Sequence, residues 1–416
     1  MRVVELPALH DHHNHVSLYA ALDSVLDLAP LGEADALMAL KALPEHRLNL
    51  AKGWKSERLS FSRDSLAGLP PLIIINFSLH GFLMTPKALP MVEGLWPDFH
   101  AHRDDVAWTE AHLPEIFCFY GRVAGLDAHK LAAFMAKLEA LGIGSAEDLS
   151  TTGEESLEVI ANGPFAGRVE SWATPASHAG LSAGGRSRIK GFKLFLDGSI
   201  GARNAAILPT FLGGEKGLLL HDDEGLETIL AGLAPEGKPV AIHAIGQRAI
   251  GQALGALDRL RRQAVTFPHV RLEHVQFIDR DQAFRARDLG LCLSMQPNFN
   301  SDSTDYADRL PAALLAANNP FRMLIDEAGF RPGHDLILGS DGMPHGLACA
   351  LQSALFPAFG GQRLDVAELV AGYGGEGGGR GPTTHRYLVD EGTASVRRVD
   401  PEDQARIAGP PQGQYT

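Results

Sequence analysis

Short apolar runs recurring between Gly142 and Asp341, each parted from the next by a stretch with helical periodicity, constrain the fold of this 416-residue chain more than any other feature. The runs are IGSAEDL, GRVESWA, IKGFKLFL, KPVAIHAI, VRLEHVQFI, LGLCLSMQP and DLILGSD. Between them, stretches such as DEGLETILAGLA from Asp223 and RAIGQALGALDRLRRQA from Arg248 repeat apolar residues every third or fourth position, the spacing of one helix face. Strand, helix and strand in that order form right-handed βαβ units and a parallel sheet. The run LPALHDHHNH near the start brings the strands to eight. Eight parallel strands close into a (β/α)8 TIM barrel, in which reactive groups gather at the C-terminal ends of the strands; an open doubly wound sheet is the competing topology.

The first two strands are separated by an interval from about residue 16 to about residue 140, far longer than a simple βα connection. It reads as an insertion over the barrel mouth, where long loops carry specificity. The barrel with its insertion is expected to occupy residues 1–371. GYGGEGGGRGP from Gly372 then reads as a flexible Gly-rich connection, and HRYLVDEGTASVRRVDPED as a small β hairpin within a tail ending at residue 416.

Charge and composition exclude several functions. Thirty-seven Lys plus Arg against fifty Asp plus Glu give a net charge of −13, with no basic block to track a phosphate backbone, so no nucleic-acid partner is expected. The most apolar stretch, Leu69 to Met84, is shorter than the ~20 residues that span a bilayer and contains Asn76 and His80, so no membrane association is expected. Cys118, Cys292 and Cys349 lie far apart, and no apolar signal run precedes the first histidines. Both features fit a cytoplasmic protein.

The chemistry sits near the ends of the expected strands. His13 and His15 in HHNH are two residues apart, which on a strand sends both imidazoles to one face and within reach of one metal ion. Lys193 in GFKLFLDG, His243 in AIHAIG, His274 in RLEHVQ and Asp341 in LGSDG follow at corresponding places. Each has an ordinary reading: an ion-paired lysine, hydrogen-bonded core histidines, an aspartate capping a turn. Five strands each carrying an ionisable group at the same level are not explained by packing, because buried charge is costly unless paired or bound to metal.

The order HxH, Lys, His, His, Asp on strands one, four, five, six and eight resembles the amidohydrolase superfamily. KLFLDGSIGARNAAI, AIHAIGQRAI, RLEHVQFI, SMQPNFNSD with NPFRML, and LGSDGMP are similar to amidohydrolase family 3, the branch that includes N-substituted formamide deformylases. The resemblance runs from Pro7 to about Tyr373 and includes the inserted SLHGFLMTPKAL. It implies a metal-ligand set of His13, His15, Lys193, His243, His274 and Asp341, with Lys193 open to carboxylation into a carbamate that bridges two ions. The implied metal is divalent, zinc above iron, manganese or nickel, as one or two ions. It also implies catalytic roles for Asp341, His274 and Lys193: metal-activated hydroxide attacks a small-molecule amide, formamide or cyclic amide, and Asp341 carries the proton to the leaving nitrogen. His80, Arg203, Gln296 and Asn298 stand in family-like segments as candidate substrate contacts. A deaminase or esterase variant of the same site, and a non-catalytic barrel that only binds a metabolite or partner, are the alternatives.

The chain departs from the family pattern in three places. It reaches His13 almost at once, so the family's β-sandwich is either largely missing or reduced to a fragment made after Thr383, and a partner copy in a homo-oligomer could cover the exposed barrel end. Gln247 stands where the pattern has an acid. His10 and His12 are extra, and strict strand alternation would turn His12 away from His13 and His15.

Overall fold

The computed structural model describes residues 1–55, 58–77, 79–374 and 384–399. Part of the Gly-rich stretch and the tail from residue 400 lie outside the described residues. All eight expected runs form strands: β1 (Leu9–Asn14), β2 (Ile143–Leu149), β3 (Val169–Ala173), β4 (Ile189–Phe195), β5 (Val240–Ala244), β6 (Val270–His274), β7 (Cys292–Met295) and β8 (Leu336–Leu338). They hydrogen-bond in sequence order, each neighbouring pair parallel. The seam between β8 and β1 is held from just beyond the end of β8. The Asp341 N–H donates to the His13 carbonyl at 2.7 Å, and the Ser340 N–H donates to Asp11 Oδ1 at 2.8 Å. The fold is a (β/α)8 barrel.

Alternation along the strands sorts the two barrel surfaces. Leu194, Val240, Ile242, Leu272, Leu293, Leu336 and Leu338 are buried in the main core that the outer helices cover. Those helices are written into the sequence at their ends. Asp222 caps helix 223–233 by accepting from the Gly225 N–H, and Asp279 with Gln282 forms a reciprocal capping box on helix 280–288. Arg259, Arg261 and Arg262 close helix 247–262, where positive charge suits the dipole. The opposite surface of the strands carries Glu147, Trp172, Lys193, Arg271 and Glu273, all buried.

The insertion forms its own sheet of Leu26–Asp27, Asn49–Trp54, Leu72–Asn76 and Phe82–Met84, the first three parallel and the last antiparallel. LIIIN reads as an unbroken apolar run because both of its faces are buried: Ile73 and Ile75 pack with Phe99 and Phe117, while Leu72 and Ile74 pack with Leu28 and Leu40. Phe117, on helix Leu113–Ala124, brings this unit onto the barrel mouth, its ring 5.9 Å from that of His15.

A third sheet joins Arg2–Pro7, Thr384–Asp390 and Ser395–Arg398 as antiparallel neighbours. The hairpin was legible in sequence; the strand contributed by Arg2–Pro7 was not, since it runs almost continuously into β1. Tyr387 and Val389 belong to the main core, and Gly142 lets Tyr387 approach the start of β2: a Cβ there would lie 2.6 Å from the Tyr387 Oη. Among the described residues no helix is long and apolar enough to cross a membrane.

Ile74 is fully buried between the insertion sheet and the helix carrying Leu40. Ile74→Ala is expected to cost about 2–5 kcal/mol, read as a lower urea midpoint for the unfolding of this unit.

Candidate metal centre

The pairing of β1 with β2 shifts register between Asp11 and Asn14, where three steps on β1 oppose two on β2. Such a bulge re-aims side chains. Strict alternation would set His12 apart from His13. Instead, the His12 Nδ1 lies 3.3 Å from Glu147 Oε1 inside the barrel, and His13 and His15 gather above it at Asp341. Asp11 holds the bulge in place, meeting the His13 N–H at 3.1 Å, Asn14 Nδ2 at 2.9 Å and the Ser340 hydroxyl at 2.5 Å.

The expected ligand residues meet at the barrel mouth. Asp341 Oδ1 lies 3.6 Å from His13 Nε2 and 3.3 Å from His15 Nε2. The ring of His274 sits 4.6 Å from that of His13 and 4.5 Å from that of His243. Ligand atoms of His13, His274 and Asp341 all fall within 4.8 Å of one another, close enough for a metal centre. Lys193 is fully buried, with its Nζ 4.9 Å from the centre of the Phe195 ring and without a hydrogen-bond partner among the described residues. His274 (φ 70°) and Asp341 (φ 53°) both have left-handed backbones. For residues other than glycine that conformation costs about 1–3 kcal/mol and concentrates at functional sites.

Burial and mutual repulsion set the charges here. Burial opposes ionisation of Asp341, but the facing His13, His15 and Lys193 bring its carboxyl down to about 2. Burial lowers Lys193 to about 8 against the pull of Glu273 and Asp341. His13, His243 and His274 are held well below the usual imidazole range, first by burial and then by one another and Lys193. Neutral imidazoles beside an ionised carboxylate are the protonation states that metal ligation needs.

Beneath the mouth runs a column of buried charge that sequence reasoning missed. Glu273 Oε2 meets His13 Nδ1 at 2.6 Å, and Glu273 Oε1 meets Arg271 Nε at 2.5 Å. Arg271 Nη1 reaches Glu147 Oε2 at 2.9 Å, and the same carboxylate accepts from Trp172 Nε1 at 2.6 Å and Lys190 Nζ at 3.2 Å. Occupation of Nδ1 by Glu273 leaves His13 Nε2 facing Asp341. A carboxylate behind a ligating imidazole fixes its tautomer and raises its basicity. The legible signal was the R-x-E spacing in VRLEH, which puts two opposite charges on the inner face of one strand. His10, His12 and Glu147 also cluster within 4.8 Å, but the cations already on Glu147 disfavour a metal there.

The remaining candidates lie at different distances from this centre. Gln296 Oε1 holds His274 Nδ1 at 2.8 Å, and Asn298 Nδ2 donates to the carbonyls of Ser340 and Met343, bracing the loop that carries Asp341. Arg203 is partly exposed, faces Glu215 and Asp308 at 3.5 and 3.8 Å, and lines an open cavity beside the insertion. His80 comes from the insertion and pairs with Glu110. Gln247 accepts the Leu208 N–H. Asp197, also missed, lies 3.4 Å from His243 Nε2 and accepts the N–H groups of Ala206, Ile245 and Gly246; burial outweighs these bonds and lifts its carboxyl to about 7.

Imidazoles, a carboxylate and a buried amine at the mouth of a (β/α)8 barrel make a donor set suited to a divalent cation. The chain belongs to the amidohydrolase family, whose family model matches residues 4–354. It is 33% identical over 121 residues to the putative amidohydrolase YtcJ of Bacillus subtilis (strain 168), a match covering 28% of this chain and 22% of that protein. This chain therefore spans less than a quarter of that curated relative. Among solved structures it resembles uncharacterized metal-dependent hydrolases from Pyrococcus furiosus (TM-score 0.65, 20% identity, 89% of this chain and 81% of that one) and Pyrococcus horikoshii OT3 (0.65, 21%, 89% and 80%). At that identity the likeness is one of fold.

Glu273→Gln keeps the shape behind His13 and removes the charge. Metal affinity is expected to fall about 10- to 100-fold, measured by competition with a chromophoric chelator.

Proposed function

We propose that this metal-dependent hydrolase cleaves the C–N bond of a small amide, formamide or cyclic amide. The observation that carries this reading is the convergence of His13, His15, His243, His274 and Asp341 around a buried lysine whose Nζ has no partner. The donor chemistry fits a divalent cation: neutral imidazoles with one ionised carboxylate suit zinc, and His15 Nδ1 and Lys193 Nζ are buried without hydrogen bonds. His13, His15 and Asp341 would hold one ion and His243 with His274 a second. Lys193, carboxylated on Nζ, would serve both; an unmodified ammonium at that place would repel them. A divalent cation bound here supplies Lewis acidity and acidifies water near neutral pH.

The chain's own groups account for the proton movements. Asp341 is ionised, and its Tyr19 neighbour donates to its backbone carbonyl rather than to its carboxylate, leaving the carboxylate free to accept a proton. It takes the proton of the attacking water and delivers it to the leaving nitrogen. His274, with Nδ1 held by Gln296, presents its other nitrogen to the centre. We read His80 and Arg203 as substrate contacts of the insertion and of the loop after β4, with Gln296 and Asn298 shaping the mouth. The three cysteines form no disulfide, which supports a cytoplasmic setting, and a homo-oligomer remains part of this reading.

Protein purified without a histidine tag is expected to carry one or two transition-metal ions per chain by elemental analysis. Metal content that stays near zero after reconstitution with zinc and bicarbonate would overturn the reading. With N-acyl amino acids, formamides and hydantoins as test substrates, Asp341→Asn is expected to lower kcat by at least about 10²-fold. Unchanged turnover in that variant would remove Asp341 from the proton transfer.

A further inference from the structure

His80 is part-buried and Glu110 buried, and they lie thirty residues apart on separate elements of the insertion. His80 follows the strand Leu72–Asn76, and Glu110 sits on helix Val106–Ala111. Glu110 Oε2 lies 2.9 Å from His80 Nδ1, and Oε1 lies 3.3 Å from it, so that nitrogen donates its N–H to the carboxylate and the ring is fixed. Nothing among the described residues bonds the other ring nitrogen. Leu79, immediately before His80, is buried with φ 64°, so the backbone is held in a costly conformation at the point where it presents this imidazole.

His80 stands close to the centre. Phe117 stands edge-on to both His80 and His15, at 6.5 and 5.9 Å, placing His80 one ring away from the cluster. Asp341 and His243 are both within its electrostatic reach. Burial disfavours a charged imidazole here, but Glu110 and Asp341 reverse that and raise His80 above its ordinary value. Glu110 in turn faces Asn204 of the loop after β4. Asn204 also lines an open cavity of about 1000 Å3 between residues 101–107 of the insertion and residues 202–218 of that loop.

We propose that His80, oriented by Glu110, binds a carboxylate of the substrate, so that the preferred amides carry an acid group close to the scissile bond. This rests on the hydrolase reading above and narrows its substrate class. His80 donates its free N–H edge to the carboxylate while Glu110 balances the imidazolium from behind. Glu110 is then a positioning residue acting through His80.

The test compares binding and turnover of N-acetylalanine with those of neutral N-acetylalaninamide on the zinc-loaded protein, in wild type, His80→Gln and Glu110→Gln. Wild type is expected to bind the acid at least about tenfold more tightly, the scale of one charge-assisted hydrogen bond. His80→Gln is expected to bring the two ligands within about twofold, with Glu110→Gln between, while metal content barely moves. Circular dichroism checks each fold, and the isosteric Glu110→Gln carries the test if His80→Gln does not fold. An acid preference that survives both substitutions overturns the proposal, as does a wild type that favours the neutral ligand. A fall in kcat on both substrates with their ratio unchanged overturns it too, placing His80 on the reaction's oxyanion instead. A lost acid preference in the binding arm, with no turnover by wild type, supports this inference while the hydrolase reading fails.

Discussion

The contact between Glu273, Arg271 and His13 is the interaction on which the centre depends. All three side chains are almost wholly out of water. An isolated carboxylate there would be prohibitively costly, so it is held by a guanidinium on one side and an imidazole on the other. That pairing decides which nitrogen of His13 faces the mouth. It also hands the requirement for neutrality down the barrel, since Arg271 needs Glu147 as well, and Glu147 is met in turn by Trp172 and Lys190. The barrel interior is therefore a polar support column where packing alone would favour branched aliphatics.

Above that column, geometry comes from departures from regular structure. The bulge in β1 brings His10 and His12 against Glu147 while His13 and His15 meet at Asp341. The left-handed backbones of His274 and Asp341 turn their side chains inward at the ends of β6 and β8. Each departure costs free energy and is held by neighbours that over-determine it, such as Asp11 across the β1–β8 seam and Gln296 behind His274. The insertion then meets the mouth through Phe117 and His80, so the mouth is shared between the barrel and a separately packed unit.

Much of this was legible in the residues. The eight strands could be read because apolar runs and helical periodicity alternate, and both are local properties. The cluster of ionisable residues at the mouth could be read because such groups at the ends of otherwise apolar strands have no packing role. The resemblance in words such as AIHAIG and LGSDG narrowed it further. Glu273 was overlooked beside His274 although it stands in the same run, because nothing local says that it meets a histidine 260 residues away. Glu110 was overlooked for the same reason, and Arg2–Pro7 because it merges with β1.

The sequence by itself determined the alternation of elements, the closure into eight strands, the level at which charged residues appear and the family to which they belong, since periodicity and residue type survive without coordinates. Tertiary structure alone decided which nitrogen of His13 is free, where His12 turns, and that Arg203 pairs with Glu215 and Asp308 while His80 pairs with Glu110. Those outcomes depend on register shifts and on partners brought together from distant parts of the chain. A one-residue slip in a strand exchanges its two faces, and no local pattern records where such a slip occurs.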